Sequence, residues 1–222
     1  MLGRLLKEMN AMRKPDAPRL ALDPGRASLL NVGGGSKSFA LPVHYEGWQH
    51  LLLDIDPKGG ADVIFDAREL ARLPAAQFDA VYCSHNLEHY YHHEVPRVLT
   101  GFLHVLKPHG FAEIRVPDVE AVFREIVVNG RGLDEQFQPN PRGPITARDI
   151  LYGWTIEIEE SGADFYAHKT GFTWQTLADS LRRAGFAEVW KAPAVVAYEL
   201  RALAFRQPAT PAQRRLLGIP GA

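Results

Sequence analysis

The sequence predicts an α/β fold in which helices cover both faces of a mostly parallel sheet. From Leu29 onward, short apolar runs alternate with segments whose apolar residues recur every three or four positions, as is typical of alternating strands and helices. The first four apolar runs end in glycine or polar residues, at the edge where open α/β sheets bind ligands. With 222 residues, 46% apolar and 23% charged, the chain suits one globular domain.

Five strands and two helices are predicted in the first part of the chain. The strands cover residues 28–32, 48–53, 61–65, 78–83 and 111–116. An apolar stripe from Val95 to Leu106 predicts a helix, which the Lys-Pro-His-Gly sequence of residues 107–110 closes as a stop and turn. Asp118 is expected to cap a second helix, whose apolar residues run to Val127 and are predicted to pack on the sheet.

A long irregular segment follows, and the alternation then resumes. Residues 129–171 are rich in aromatic side chains but lack a regular apolar period, so they predict a lid-like or specificity insertion. A last helix is predicted from the Thr173 cap to Gly185. Two closing strands, 186–190 and 197–205, are predicted to form an antiparallel hairpin.

The two ends of the chain are predicted to lie outside the domain, which is expected at residues 28–206. Residues 1–27 read as an amphipathic helix and a linker, with the helix laid on the domain or on a partner subunit. Residues 207–222 are rich in proline and are predicted to form a mobile tail. No run approaches the roughly 18 apolar residues that cross a bilayer, so no transmembrane segment is expected.

Charge and cysteine content exclude several classes of protein. The 25 Lys and Arg residues nearly balance 26 Asp and Glu residues, for a net charge of -1, so the global basic footprint of a nucleic-acid-binding protein is missing. The single cysteine, Cys83, excludes an intramolecular disulfide framework and a multi-cysteine zinc site. Because one unpaired cysteine fits a reducing compartment, a cytoplasmic location is predicted.

An adenosine site is predicted at the ends of the first three strands. Gly33, Gly34 and Gly35 allow a tight turn and close approach of a ligand to the backbone. Asp54, twenty-one residues after Gly33, is placed to accept hydrogen bonds from both ribose hydroxyls, and Asp66 could accept one from the adenine amine. The phosphate-binding form of this turn needs a glycine where the chain has Ser38, so an adenosine without phosphates fits better than a nicotinamide dinucleotide.

At this point the sequence resembles the class I S-adenosylmethionine-dependent methyltransferases, in particular a small bacterial branch of type-11-like enzymes. The resemblance spans most of residues 28–205 and rests on five ordered motifs: Leu30-Asn-Val-Gly-Gly-Gly-Ser-Lys37, Leu53-Asp-Ile-Asp-Pro57, Asp62-Val-Ile-Phe-Asp66, Phe78-Asp-Ala-Val-Tyr82 followed by Leu87-Glu-His89, and Leu106-Lys-Pro-His-Gly110. It implies a Rossmann-like sheet of seven strands in the order 3-2-1-4-5-7-6, with the last strand antiparallel. The implied cofactor is S-adenosylmethionine.

The resemblance also implies roles for individual residues at the cofactor. The positions that it assigns to cofactor binding are Asn31, Gly33, Gly34, Gly35, Asp54, Ile55, Asp66, Ala67 and Ser84. Many relatives have an acidic residue at the position of Asn31, although an asparagine can still accept a hydrogen bond there. Asp56 is a rival of Asp54 for the ribose, because the two share a face of an extended strand. Ser84 and His85 would flank the methyl group.

Two histidines are candidates for a general base, and a metal site is not expected. His85 follows the fourth strand and His168 ends the insertion, and imidazole has a suitable pKa for proton transfer at neutral pH. The cluster of His85, His89, His92 and His93 has residues four apart on a helix face. We nevertheless predict no metal, because neither a cysteine nor a second carboxylate is spaced to complete a tetrahedral site.

The methyl acceptor is predicted to be a small molecule or glycan-like compound. Relatives that methylate amide or exocyclic nitrogens carry an Asn/Asp-Pro-Pro-Tyr stretch after the fourth strand, where this chain has Cys83-Ser-His-Asn86. Nucleic acid is therefore not an expected partner, whereas a homodimer is possible. Two other classes stay open: a non-catalytic protein that binds S-adenosylmethionine or S-adenosylhomocysteine, and a nicotinamide-dependent oxidoreductase.

Overall fold

The computed structural model describes residues 17–18 and 20–220. The described strands are β1 (Ser28–Val32), β2 (Gln49–Asp54), β3 (Val63–Ile64), β4 (Phe78–Ser84), β5 (Leu106–Pro117), β6 (Gln136–Gln138), β7 (Ile145–Thr146), β8 (Glu188–Ala192) and β9 (Glu199–Phe205). Seven of them form the central sheet in the order β3-β2-β1-β4-β5-β9-β8, and β6 pairs with β7 in a separate hairpin. Within the central sheet β9 is antiparallel to both neighbours. The predicted fold class and strand order are confirmed.

Helices lie on both faces of this sheet. The described α-helices are α1 (Val95–Val105), α2 (Val119–Val127), α3 (Ala147–Tyr152), α4 (Thr155–Ser161), α5 (Trp174–Ala184) and α6 (Pro211–Leu217). Alternation along the strands sorts the side chains: Leu30 packs in the cluster that α1 and α5 cover, and Leu29 packs in the opposite cluster with Tyr45 and Leu217. The predicted N-terminal helix lies outside the described residues.

Two strands differ most in length from the prediction, while the bounds of the others after β1 move by one or two residues. Strand β5 begins at Leu106, so residues 107–110 belong to the strand and the predicted turn there is wrong. The reason lies in the pairing with β4, because Leu106 pairs with Phe78 and the register then shifts before Phe111, a bulge that absorbs the extra residues. Strand β3 is only two residues long.

Helix α2 forms where it is predicted, but it packs differently. Asp118 caps it by accepting a hydrogen bond from the Ala121 amide. Val122 is buried in a cluster with α3, while Phe123 and Val127 are exposed. The prediction that the whole apolar stripe packs on the sheet is therefore wrong, because the insertion supplies the surface that buries the helix.

The proline-rich tail is folded in the described residues. Thr210 caps α6 with a reciprocal capping box, and a proline occupies the first turn, where its missing N–H costs nothing. Leu217 and Ile219 are buried against the sheet. The prediction of a mobile tail is wrong, because apolar residues at this spacing cover an otherwise exposed sheet face. None of the described helices combines the length and the apolar character needed to cross a membrane.

A buried carboxylate joins three elements at the centre of the sheet. Glu113 of β5 is fully buried and accepts hydrogen bonds from His44 Nε2 at 2.8 Å, Tyr45 Oη at 3.1 Å and Arg201 Nε at 2.8 Å. Arg115 Nη2 donates a fourth, at 3.2 Å. Burial raises the pKa of Glu113, but His44 and Arg201 outweigh that effect and lower it to about 2.

We expect Glu113→Gln to lower the free energy of unfolding at pH 7 by about 3 kcal/mol, because two arginines lose a buried counter-charge. The folded-state pKa of about 2 lies below the ordinary value of 4.5. The carboxylate's contribution is therefore present above pH 4.5 and lost as the pH falls to 2. Urea unfolding should show that the difference in free energy of unfolding between wild type and variant closes over that range.

The control is Glu120→Gln, at an exposed glutamate, which should lower the free energy of unfolding by less than about 0.5 kcal/mol. A gap independent of pH would contradict the assignment.

Candidate functional site

The three glycines after β1 form a turn that residues with a side chain could not adopt without strain. Gly33 and Gly35 have φ angles of +70° and +65°, in the left-handed region that favours glycine. The Gly33 amide donates to the Leu53 carbonyl at 2.8 Å. A Cβ on Gly33 would overlap the Asn86 side chain, and one on Gly34 would overlap Asn31. The turn therefore needs glycine both for its backbone angles and for its packing.

Asp54 fastens this turn to the end of β2. Its Oδ2 accepts a hydrogen bond from the Gly35 amide and its Oδ1 accepts one from the Asp56 amide, each at 2.9 Å. The side chain is buried, and each carboxylate oxygen keeps a further lone pair for a ligand. Asp56, in contrast, accepts from the Lys58 amide and from Tyr166 Oη of the insertion at 3.2 Å. The two acidic residues thus serve different neighbours.

A first cavity of about 310 Å³ opens beside the turn. Its lining residues are Asn31, Gly33, Gly34, Gly35, Phe39, Ala40, Leu41, Tyr82 and Ser84. Asn31 is buried, and among the described residues its Oδ1 has no hydrogen-bond partner, while its Nδ2 lies 3.3 Å from His50 Nε2. An unpaired buried acceptor calls for a donor that a ligand can bring.

The remaining sequence-predicted cofactor residues lie at the ends of β2 and β3 and line neither cavity described here. Ile55 is exposed and Ala67 is buried. The carboxylate of Asp66 accepts from Arg68 Nε at 3.0 Å and from Arg68 Nη2 at 2.7 Å. Burial raises the pKa of Asp66, but these bonds outweigh it and the net pKa is lowered. An adenine amine would therefore share Asp66 with this arginine.

A second, larger cavity of about 480 Å³ lies between the sheet edge and the insertion. The insertion contributes Gln138, Arg142, Ile145, Asp149, Ile150, Trp154, Glu157, Tyr166 and His168 to its wall. The body contributes His85, His89 and Pro117, and Gly35 and Phe39 line this cavity as well as the first. The two cavities therefore adjoin at the glycine turn.

His85 stands between two carboxylates at the end of β4. Its Nε2 lies 3.1 Å from Glu199 Oε2 and its Nδ1 lies 3.4 Å from Glu88 Oε1. Partial burial lowers the pKa of His85, but the two carboxylates outweigh it and raise the pKa to about 10. The ring is therefore an imidazolium at neutral pH, hydrogen-bonded to Glu199 and forming a longer ion pair with Glu88.

His168 and His89 are held in the opposite way, by backbone carbonyls. His168 Nδ1 lies 3.0 Å from the Ile150 oxygen, and His89 Nδ1 lies 3.1 Å from the Ala167 oxygen. Because a carbonyl only accepts, each Nδ1 carries a proton, and in the neutral form of either ring Nε2 keeps a lone pair. Burial lowers the pKa of His168, which favours the neutral ring.

The carboxylate of Glu88 completes this group. It is buried, and His168 Nε2 lies 3.9 Å from its Oε1. Burial raises the pKa of Glu88, but the imidazole of His85, followed by those of His89 and His168, holds the net pKa below its ordinary value. Sequence reasoning treated Glu88 only as part of a family motif. Its approach to His168, eighty residues away, depends on the path of the insertion.

Comparison with known proteins identifies the kind of chain that carries these cavities. Residues 5–191 match a family described as "Methyltransferase domain". A SAM-dependent methyltransferase from Archaeoglobus fulgidus is 16% identical, with 91% of each chain covered and a TM-score of 0.51. The PH0226 protein from Pyrococcus horikoshii OT3 is 16% identical, with 92% of this chain and 87% of that chain covered and a TM-score of 0.53. These two structures show the shared fold, and no curated protein matches the sequence.

We expect Gly33→Ala to be more disruptive than Gly60→Ala, although both glycines have a φ of +70°. The left-handed backbone costs about 1–2 kcal/mol in either variant, but only a Cβ at position 33 meets another side chain, whereas none lies within 4 Å at position 60. Urea unfolding should therefore show a larger loss for Gly33→Ala, and calorimetry should show weakened binding of S-adenosylhomocysteine by that variant alone. Equal losses in the two variants would contradict the packing argument.

Proposed function

Because this chain belongs to the methyltransferase-domain family and is an enzyme whose cofactor is S-adenosylmethionine, we propose that it methylates a small-molecule or glycan-like acceptor held in the second cavity. The observation that carries this proposal is the contact between the two cavities. Gly35 and Phe39 line both of them, so a methyl group presented from the first cavity would face the second. Direct in-line displacement requires such an arrangement, because the enzyme acts mainly by positioning and desolvating the reactants.

The first cavity fits the amino-acid and ribose parts of the cofactor. The Asn31 Oδ1, which lacks a partner among the described residues, would accept a hydrogen bond from the cofactor's amino group. Gly33, Gly34 and Gly35 would let the ligand approach the backbone. Asp54 would hold the ribose, since its carboxylate is already oriented by the Gly35 amide, whereas Asp56 is bonded to the insertion.

The adenine would lie beyond Asp54, toward the end of β3. There Asp66 would accept from the exocyclic amine, and Ile55 and Ala67 would contact the ring. Ser84, which lines the first cavity, would lie near the methyl group. These roles follow the family resemblance residue by residue, and each carboxylate that they use is anchored by at least one backbone amide.

In the transfer step, a lone pair on the acceptor attacks the methyl carbon as the carbon–sulfur bond breaks. The electron pair of that bond stays on sulfur, which yields S-adenosylhomocysteine. An acceptor hydroxyl must also lose its proton. We assign this proton to His168 rather than to His85, because His168 Nε2 keeps a lone pair in the cavity, while both nitrogens of His85 face carboxylates.

The walls of the second cavity favour a polar, ring-containing acceptor. Trp154 and Tyr166 supply aromatic faces, and the Trp154 Nε1 is buried without a hydrogen-bond partner among the described residues, so an acceptor oxygen could bond to it. The insertion at 129–171 would act as a lid over this acceptor. A net charge of -1 gives no support to a nucleic-acid partner. The cytoplasmic location and the homodimer stay predictions.

We expect Asp54→Ala to weaken S-adenosylhomocysteine binding by roughly 10- to 150-fold, because a charged hydrogen-bond acceptor worth about 1.5–3 kcal/mol is lost. Isothermal titration calorimetry on purified protein measures this directly. Asp56→Ala is the matched control, two residues along the chain, and should change the affinity by less than about threefold. Unchanged affinity in Asp54→Ala would overturn the ribose assignment, and the absence of binding by the wild type would overturn the cofactor site.

We expect His168→Ala to lower kcat by about 100- to 10,000-fold, the usual effect of losing a group that manages the acceptor's proton. A panel of phenols, sugars and glycosides, screened by release of S-adenosylhomocysteine, supplies the acceptor for this measurement. The affinity for S-adenosylhomocysteine should stay within about twofold of wild type. His92→Ala, at an exposed histidine nearby, should keep full activity. A wild-type kcat in His168→Ala with an acceptor that the wild type methylates would overturn the assignment of the proton to His168.

A further inference from the structure

At the wall of the second cavity, His89 and His168 lie beside the buried carboxylate of Glu88, which brings three potential metal ligands together. One ligand atom from each residue lies within 4.8 Å of the other two. We propose that these three side chains bind a divalent cation of the first transition series, and that the cation contacts the methyl acceptor. The cation site stands on its own geometry, whereas the contact with the acceptor rests on the function proposed above.

The carboxylate of Glu88 supplies independent support for a ligand at this point. The residue is 1% exposed, and among the described residues neither of its side-chain oxygens accepts a hydrogen bond. The neighbouring nitrogens, His85 Nδ1 at 3.4 Å and His168 Nε2 at 3.9 Å, are too distant for good bonds. A buried carboxylate with two unsatisfied oxygens is costly. A cation bound to Glu88 would remove that cost.

The two histidines are oriented as metal ligands are. In metal sites the ring nitrogen that does not bind the metal commonly donates to a backbone carbonyl or a carboxylate, which fixes both the tautomer and the ring. His89 and His168 each make this bond through Nδ1, to Ala167 and Ile150 respectively. Their Nε2 atoms are left as the ligands. The ring centroids lie 4.9 Å apart in an edge-to-face arrangement with an interplanar angle of 67°.

The ligand set selects the class of cation. Two imidazoles and one carboxylate suit Zn²⁺, Fe²⁺, Mn²⁺ or Co²⁺ better than Ca²⁺ or Mg²⁺, which prefer oxygen alone. Ligands at about 2.1 Å from a tetrahedral zinc lie roughly 3.4 Å from one another. Side-chain rotation would have to shorten the 3.9 Å between His168 Nε2 and Glu88 Oε1 and the other separations, which all lie within 4.8 Å. Three protein ligands leave the fourth tetrahedral position open toward the cavity, as in catalytic sites.

This proposal departs from the sequence-based prediction of no metal, which was argued from a different set of residues. That set was His85, His89, His92 and His93. In the structure His85 pairs with two carboxylates, and His92 and His93 are exposed, so only His89 belongs to the group proposed here. The insertion brings His168 beside Glu88 and His89. The spacing of these residues along the chain does not reveal this proximity.

A cation at this site would define the acceptor as an oxygen nucleophile. Binding of a hydroxyl to a divalent cation lowers its pKa, so that the proton can pass to water near neutral pH. The oxygen lone pair then forms the bond to the methyl carbon while the carbon–sulfur pair returns to sulfur. His168 would in this case hold the cation instead of taking the proton itself. The acceptor hydroxyl would occupy the open position.

The test is a Co²⁺ titration of protein freed of metal by dialysis against a chelator. Co²⁺ bound to nitrogen and oxygen ligands gives visible absorption bands, and elemental analysis of the dialysed complex gives the stoichiometry. We expect one Co²⁺ per chain, displaced by Zn²⁺. His89→Ala, His168→Ala and Glu88→Gln should each raise the Kd for Co²⁺ by more than about 100-fold, since even the loss of an outer hydrogen bond can cost 10- to 100-fold. His92→Ala, which removes an exposed histidine, should have no effect.

The outcomes separate this proposal from the proposed function. Binding of S-adenosylhomocysteine to the metal-free protein, measured in the same preparation, tests the cofactor site whether or not Co²⁺ binds. Absence of Co²⁺ and Zn²⁺ binding by the folded wild type at 1 mM free metal, about the weakest affinity of interest, would overturn the metal site without any variant being needed. So would an equal loss of affinity in His92→Ala. Full turnover of an acceptor in the presence of chelator would leave His168 as a base acting alone.

Discussion

The arrangement of the site depends on Glu88, which joins the sheet edge to the insertion through both its backbone and its side chain. Its carbonyl oxygen accepts hydrogen bonds from the amides of Lys169 at 2.8 Å and Thr170 at 3.1 Å, so the end of the insertion is held against the segment after β4. Its buried carboxylate meanwhile lies among the rings of His85 and His168. A residue of this kind fixes where the insertion ends, and therefore which of its side chains face the cavity.

Most of the fold could be predicted because its signals are local. The strand β1 and helix α5 follow from apolar runs, from the Thr173 cap and from Gly185, and these determinants act within a few residues. The errors have a common origin in contacts across the chain. The bulge after Leu106 follows from the pairing register with β4. Helix α6 is packed because it buries the sheet face around Phe205. Neither partner is visible from the local sequence.

The candidate site likewise has a part that local signals predict and a part that depends on contacts across the chain. The glycine turn and Asp54 lie at strand ends, where parallel topology brings them together, and the structure links them by the hydrogen bond from Gly35. The acceptor side could be predicted only as a segment. Hydrogen bonds to backbone carbonyls, such as that of Ile150, determine which residues of the insertion contact His89. The same bonds determine whether a histidine there is a base, a donor or a ligand. Sequence patterns carry no record of such bonds.

One short segment after β4 contributes side chains to both parts of the site. His85 has a φ of +50°, an uncommon conformation for a residue other than glycine that costs free energy and that often marks functional positions. The turn directs successive side chains to different places: His85 faces the second cavity, whereas Asn86 packs beneath Gly33 and accepts a hydrogen bond from Tyr90 Oη at 3.2 Å. One turn therefore places His85 in the wall of the second cavity and Asn86 beneath the glycine turn that lines the first cavity.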